Sequence, residues 1–254
     1  YNPDKSRLET ALLSIKNQTY ENFECFIVDD SSDHNISDYI ENFAFDDDRF
    51  IHIHRNTSAG LGDALNHGLS VCKGEFIARM DADDISMPDR FAKQVEFLIQ
   101  NKDISVLGTS VDLINYEDRK YGKKIYPLND HKIKCHFNIR NAIAHPTVMF
   151  RSEIYKVGFN YDKNFKFCED LELWLRLKKN EYKFANLSES LLLYREDEEH
   201  KREANNWKYN LKARALHFQP LKLGSYISFV AGLIHFIISD NLRAKIYKTF
   251  FKKI

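Results

Sequence analysis

This 254-residue chain is most informative at first through what it lacks. Its four cysteines, Cys25, Cys72, Cys135 and Cys168, stand far apart and form no CxxC pair. That excludes a thiol zinc framework and predicts reduced, packed thiols in a cytosolic protein. Charge of one sign is absent too: 37 basic and 37 acidic residues cancel, so no global field draws the chain to nucleic acid, and no nucleic-acid partner is expected. There is no internal repeat, no low-complexity linker and no signal peptide. The most apolar run, residues 223–238, is short and broken by Gly224, Gly232 and His235, which argues against a spanning helix. What remains is an ordinary soluble composition, 43% hydrophobic and 29% charged, long enough for one large domain or one domain with an appendage.

The pattern from residue 6 to 114 alternates helix and strand at short spacing. Residues 6–17 read as a helix with Ser6 as cap, Glu9 completing a capping box, and Leu8, Ala11, Leu12 and Ile15 as its apolar stripe. "FECFIVDDSS" reads as a buried strand ending in a loop, residues 36–44 as a helix, and "RFIHIH" as an alternating strand whose His52 and His54 face solvent. A glycine-bearing loop leads into a helix with Ala64, Leu65, Leu69 and Val71 inward, closed by Gly74; "EFIARMDADD" is a strand running into a carboxylate loop. A further helix starts near Pro88, and residues 104–114 form a strand. Such alternation predicts an α/β fold, a mostly parallel sheet with helices on both faces. From 115 to about 200 the pattern is less regular: a short strand in "AHPTVMFRSEIY", an amphipathic helix in "CEDLELWLRLKKNEY" with Trp174 in the core, and two short strands in "YKFANLSESLLLYR". Residues 200–219 look helical and basic.

In parallel α/β sheets, ligands bind beyond the carboxyl ends of the strands. Asp29, Asp30, Asp81, Asp83 and Asp84 all follow strands directly, so they are expected along one sheet edge. Asp81-Ala82-Asp83 is a DxD arrangement, in which two carboxylates one residue apart can share Mg²⁺ or Mn²⁺ and, through it, a phosphate. An EF-hand loop would need Gly where Ser86 stands, so that reading fails. Asp84 or Ser86 is instead expected to cap the next helix, with Asp89 serving that helix and Arg79 and Arg90 balancing the acids.

"FECFIVDDSS", "NTSAGLGDALNHGLSVCKGEFIARMDADD", "MPDRFAKQ" and "CEDLELWLRL" occur in this order with sensible spacing. Together they resemble the family 2 glycosyltransferases, inverting enzymes of the GT-A fold, over roughly residues 1–195. The resemblance implies a GT-A domain over 1–199, with a nucleotide-sugar half at 1–114 and an acceptor half at 115–199, followed by a helical extension at 200–254. It also implies that the first, central strand of the sheet is truncated, Tyr1-Asn2 being the turn that ends it. Residue by residue, Asp29 would bind the nucleotide base with Asp30 beside it, and Tyr1, Asn2 and Pro3 would lie under the nucleoside. Asp81 would face the ribose or metal, and Asp83 would hold the cation on the diphosphate. Asp170 would be the general base, with Glu169 orienting it or touching acceptor. His145 would line the acceptor site or approach the metal, the alternative being a structural histidine before Pro146. Asn66 matches the family's asparagine, but Leu65 stands where a basic residue is common, leaving the diphosphate more dependent on the metal.

The implied activity is transfer from a nucleotide-diphosphate sugar, a UDP-sugar favoured, to a glycan or lipid-linked acceptor in bacterial surface polysaccharide synthesis. Residues 240–254 hold five Lys/Arg against one Asp, so 223–254 is expected to make peripheral contact with an anionic membrane at its cytoplasmic face. Two other readings stay open. A sugar nucleotidyltransferase would carry a Gly-rich basic phosphate loop, and residues 1–20 show none. An inactive scaffold partner in glycan assembly is favoured by Leu65 and the truncated first strand and opposed by the intact DxD and Asp170.

Overall fold

The computed structural model describes residues 4–56, 59–196 and 204–237. Helix α1 (Lys5–Lys16) leads into β1 (Cys25–Asp29), α2 (His34–Phe45) and β2 (Phe50–His54). Next come α3 (Leu61–Val71), β3 (Phe76–Ala78), β4 (Ile85–Ser86), α4 (Arg90–Gln100) and β5 (Val106–Ile114). The remainder is β6 (Lys120–Lys124), α5 (Asp130–His136), a 3₁₀ turn at His145–Thr147, β7 (Met149–Arg151), α6 (Glu153–Lys156), α7 (Glu169–Lys179), β8 (Phe184–Arg195), α8 (Ala204–Leu216) and α9 (Leu223–Ile237).

Strand β5 is the spine. β8 runs parallel along one edge from Val106 to Ile114, while on the other edge β7 pairs with its first residues and β6 with its last. Side chains alternate faces along a strand, and the two cores follow that rule. Val106, Phe150 and Phe184 point into a cluster with Ile143, Trp174 and Leu177 under α7. Their neighbours Leu107, Met149 and Ala185 point the other way, against Leu12, Ile36, Val95 and Leu98 of α1, α2 and α4. Trp174 is 1% exposed and belongs to the core.

The α/β class holds, with strand directions that are mixed rather than mostly parallel. Among the described residues only β1–β2 and β5–β8 pair in parallel; β3–β7, β4–β8, β5–β6 and β5–β7 are antiparallel. Parallel neighbours need a long crossover. α2 supplies one between β1 and β2, but β6 follows β5 after a tight turn and must run back. β1 and β2 form a sheet of their own, and β1 and β3 each pair on one side only among the described residues.

Local details differ from the sequence expectation in three places. The cap of α1 is Asp4, whose carboxylate accepts the N–H groups of Ser6 at 3.0 Å and Arg7 at 3.2 Å, because an anion two residues earlier meets the positive end of the helix. The segment expected as two short strands is one twelve-residue strand, β8; a bulge opposite Thr109 and Ser110 absorbs the polar "SES" break. β6 and α5 were not visible as periodic runs, since the "KYGKK" of β6 is polar on both faces at a sheet edge.

Helices α8 and α9 pack on one another and on the loop after α5. The buried Arg214 guanidinium donates to the carbonyls of Phe137, Asn138 and Ile139 and to Ser228 Oγ. Among the described residues no helix is long and apolar enough to cross a membrane.

Candidate active site

A cleft of about 1430 Å³ lies between β1 and β3 and is bordered by Asp29, Asp30, Arg79, Asp81, Asp83 and Arg195. Strand ends deliver each acid. Asp29 is the last residue of β1, and its Oδ1 accepts the N–H of Ser31 at 2.8 Å in a tight turn. Its Oδ2 lies 3.1 Å from His52 Nε2 and 3.2 Å from His54 Nδ1. Burial pushes this carboxyl up, but the hydrogen bonds from Ser31, His54 and His52 outweigh it and hold the pKa at about 2. Of the pair expected to face solvent, His54 is exposed, whereas the His52 side chain is 12% exposed, and both turn toward Asp29. The parallel register sets both imidazoles on the face of β2 that meets Asp29. Asp30 is paired with Arg55 at 3.4 Å, and Arg55 also binds Asp63.

Beyond β3 the chain turns through Asp81, Ala82, Asp83 and Asp84. The buried Arg79 forks onto both carboxylate oxygens of Asp81, and its own carbonyl accepts from Arg90 at 2.7 Å. The balancing role expected of these arginines is met by Arg79, whereas Arg90 donates to the Gln94 side chain and the Arg79 carbonyl. Asp83 has no ion pair among the described residues, and burial followed by the Asp81 charge raises its pKa. A half-buried carboxylate with a like charge beside it and, among the described residues, only the more distant Arg195 and Arg7 charges to offset it suits a hard divalent ion. Asp81 and Asp83 fit Mg²⁺ or Mn²⁺ on that chemistry, with Arg79 already neutralising part of Asp81.

Asp84 and Ser86 do not cap α4. Asp84 is 1% exposed and accepts the backbone N–H of Arg195 at 2.8 Å, while Ser86 Oγ accepts from Gln18 Nε2 at 3.1 Å. The physical reason is the short β4, which turns this loop back onto β8 before the helix begins. Asp89, at the helix start, pairs with Lys93 at 2.7 Å.

Glu169 and Asp170 open α7 just after Cys168, whose φ of 58° turns the chain sharply into the helix. Asp170 accepts a hydrogen bond from Asn141 Nδ2. Glu169 is 8% exposed, and burial first, then the Asp170 charge, pushes its pKa up to about 7. Tyr161 ties this pair to the DxD side. Burial raises its phenol, Arg79 opposes the rise, and Asp170, Glu169 and Asp81 add to it, so all four charges bear on one ring. Gly62 allows α3 to approach: a Cβ there would lie 3.4 Å from Tyr161 Cβ and 3.8 Å from Glu169 Cβ.

Asn66 and His145, both expected at substrate, hold Tyr161. Asn66 receives the Tyr161 N–H at 2.8 Å and donates to its carbonyl at 2.8 Å. His145 is buried, with Nε2 2.8 Å from the Tyr161 hydroxyl and its ring edge-on to Trp174. Burial holds its pKa well below the usual histidine range, so it stays neutral and stands behind the cleft wall. Asn66 was expected at substrate as the match to the family's asparagine, and His145 from its place before a strand upstream of Glu169-Asp170, with a structural histidine as the alternative; in the fold both side chains engage Tyr161. Tyr1, Asn2 and Pro3 lie outside the described residues. Tyr161, Asn141, Arg195 and the Arg7–Tyr116 pair, stacked at 4.5 Å, were missed, since none sits in a motif.

The fold, with strand-end acids bordering part of a largely apolar cleft, defines a GT-A glycosyltransferase architecture. The structure superposes on TarS residues 1–349 of S. aureus bound to UDP-GlcNAc with a TM-score of 0.69, at 16% identity, over 96% of this chain and 72% of that one. Against a longer TarS structure the chain spans 44% of the length. It also superposes on the mannosyltransferase PcManGT from Pyrobaculum calidifontis, solved with GDP-Man and Mn²⁺, with a TM-score of 0.64 at 13% identity over 98% of this chain and 77% of that one. In sequence it is 33% identical to the O-antigen biosynthesis glycosyltransferase WbnJ of Escherichia coli, over 90% of this chain and 89% of that protein. The family model for "Glycosyl transferase family 2" matches residues 1–159, and the chain belongs to that family.

Proposed function

We propose that this enzyme moves a sugar, with inversion, from a nucleotide-diphosphate donor to a glycan or lipid-linked acceptor in bacterial surface polysaccharide synthesis. The observation that carries the reading is the placement of acids about one tyrosine: Asp81 on the cleft side, Glu169 and Asp170 on the helix side, with Asp83 bordering the same cleft. The donor's base lies toward Asp29 and Asp30, and its diphosphate toward Asp83. UDP-sugars are favoured, in line with the UDP-GlcNAc bound to TarS and the O-antigen role named for WbnJ.

When bound at Asp81 and Asp83, Mg²⁺ or Mn²⁺ supplies charge neutralisation for the departing diphosphate; PcManGT was solved with Mn²⁺. Asp170 takes the acceptor hydroxyl proton as that oxygen bonds to the anomeric carbon. The bond from that carbon to the diphosphate oxygen breaks on the opposite face, and the nucleoside diphosphate leaves with the electron pair. Asn141 fixes the base carboxylate, and Tyr161 forms the wall between donor and acceptor sides. Residues 1–199 make the catalytic domain, and 200–254 serve as a peripheral membrane contact at the cytoplasmic face.

The test is a screen of nucleotide sugars with Mg²⁺ or Mn²⁺, reading nucleoside diphosphate release and glycan product. Asp83→Ala and Asp170→Asn should each lower turnover by at least a hundredfold, and EDTA should abolish it reversibly. Turnover indifferent to both substitutions, or to EDTA, would sink the reading.

A further inference from the structure

His52 and His54 are two apart on β2, so their side chains leave the strand on one face. The register sets His54 opposite Asp29 and His52 opposite Ile27. The two ring nitrogens and Asp29 Oδ2 all lie within 4.8 Å of one another, and each nitrogen approaches the same oxygen at 3.1–3.2 Å. The side chains of Asp29 and His52 are 3% and 12% exposed, whereas that of His54 is 39% exposed. The cluster is therefore closed by protein on two sides and open to water on the third.

This donor set differs in kind from Asp81 and Asp83. Two imidazoles and one carboxylate suit a borderline cation such as Zn²⁺, while an all-oxygen pair suits Mg²⁺ or Mn²⁺. The spacing also suits it. Ligand atoms about 2.0–2.1 Å from a tetrahedral Zn²⁺ stand roughly 3.3 Å apart, so the two nitrogen–oxygen separations of 3.1 and 3.2 Å already match, and the two nitrogens, within 4.8 Å of one another, close on the ion by side-chain rotation. Asp29 is already oriented by the Ser31 N–H at 2.8 Å on its other oxygen, as outer-shell groups orient metal ligands. The competing partner is Ser37 Oγ, 3.2 Å from His54 Nδ1, an exposed contact that this nitrogen would give up.

We propose that Asp29, His52 and His54 form a second, Zn²⁺-type metal site with three protein ligands and a solvent-facing fourth position. Because Asp29 is also the residue placed at the donor's base, occupation withdraws it from the nucleotide, so Zn²⁺ competes with donor binding; this consequence rests on the proposed function, and the site itself does not.

The experiment titrates the full chain with CoCl₂ and ZnCl₂ in excess Mg²⁺, reading the visible Co²⁺ bands and bound Zn²⁺ by equilibrium dialysis. The wild type should give tetrahedral Co²⁺ bands that Zn²⁺ displaces. His52→Ala/His54→Ala should lose one equivalent, and Asp83→Ala should keep it. An unchanged stoichiometry in a folded double variant, or no Co²⁺ bands in the wild type, overturns the site. If the double variant does not fold, His54→Asn alone should weaken Co²⁺ at least tenfold, and unchanged affinity overturns it equally. UDP is the probe for the consequence: Zn²⁺ should weaken its binding at least tenfold in the wild type and not in His54→Asn. Zn²⁺ bound with UDP affinity unmoved would leave the site standing and remove its coupling to the donor.

Discussion

Glu169 and Asp170 are neighbours in the chain with different surroundings. Asp170 is half-buried and held by Asn141, whereas Glu169 is buried and pushed up to about 7 by burial and by Asp170. Two acids this close titrate as a pair. The pH profile of kcat/KM should therefore show a step near 7 as the pair loses its second proton and Asp170 becomes the stronger base. Glu169→Gln should remove that step and leave an acid limb at lower pH; a limb that stays near 7 in that variant would count against the assignment. Stability carries the matching sign. A carboxyl whose native pKa is raised favours folding below its unfolded value of about 4.3 and loses that contribution as pH climbs to about 7. Glu169→Gln should flatten the thermal-melt trend across that window. Asp29, Asp81, Asp83 and the Glu169–Asp170 pair could be picked out as acids at strand ends or a helix start. Tyr161 could not, because a lone tyrosine in an irregular loop carries no periodic or spacing signal.

Among the elements, the β5–β8 pair is the spine of the larger sheet. Its parallel contact requires a glycine: a Cβ at Gly108 would sit 2.3 Å from Asn186 Oδ1 and 2.7 Å from Ile143 Cγ2. Asn186 cannot swing aside cheaply, because its amide donates to Pro127 O at 2.7 Å and Ala142 O at 3.0 Å. Gly108→Ala should therefore cost about 1–3 kcal/mol in urea unfolding, the range for overpacking a dense core. A midpoint equal to wild type would show that the loop at 142–143 gives way. The helices were legible from residue 5 to 114 because each buries one stripe. β6 and α5 were not, since a polar edge strand and a seven-residue helix have too little periodicity to announce themselves.

For the whole molecule, α9 is turned inside out. Gly224, Ser228 and Gly232 face the protein, where a Cβ on Gly232 would lie 2.8 Å from Arg214 Cδ and one on Gly224 2.8 Å from Asn138 Nδ2. Ile227, Val230 and Ile234 are exposed, at 46%, 51% and 49%. Bulky apolar groups outward and small ones inward, followed by the basic stretch of residues 243–253, suit an anionic lipid surface. Replacing Ile227, Val230 and Ile234 together with Ser should cut partitioning onto phosphatidylglycerol vesicles by at least tenfold, while turnover of a water-soluble acceptor stays at wild-type level. Equal partitioning would remove α9 from the membrane contact.

Sequence by itself determined the α/β class, most helices, the family and the acids of the cleft, because each depends on local period or on a short motif with fixed spacing. Tertiary structure decided the rest. It ran β6, β7 and β4 antiparallel to their neighbours, buried Asp84 against β8, and spent Asn66 and His145 on Tyr161. It also turned His52 and His54 onto Asp29. Strand register and long-range hydrogen bonds join residues tens of positions apart, and no local pattern in one chain encodes which of them will meet.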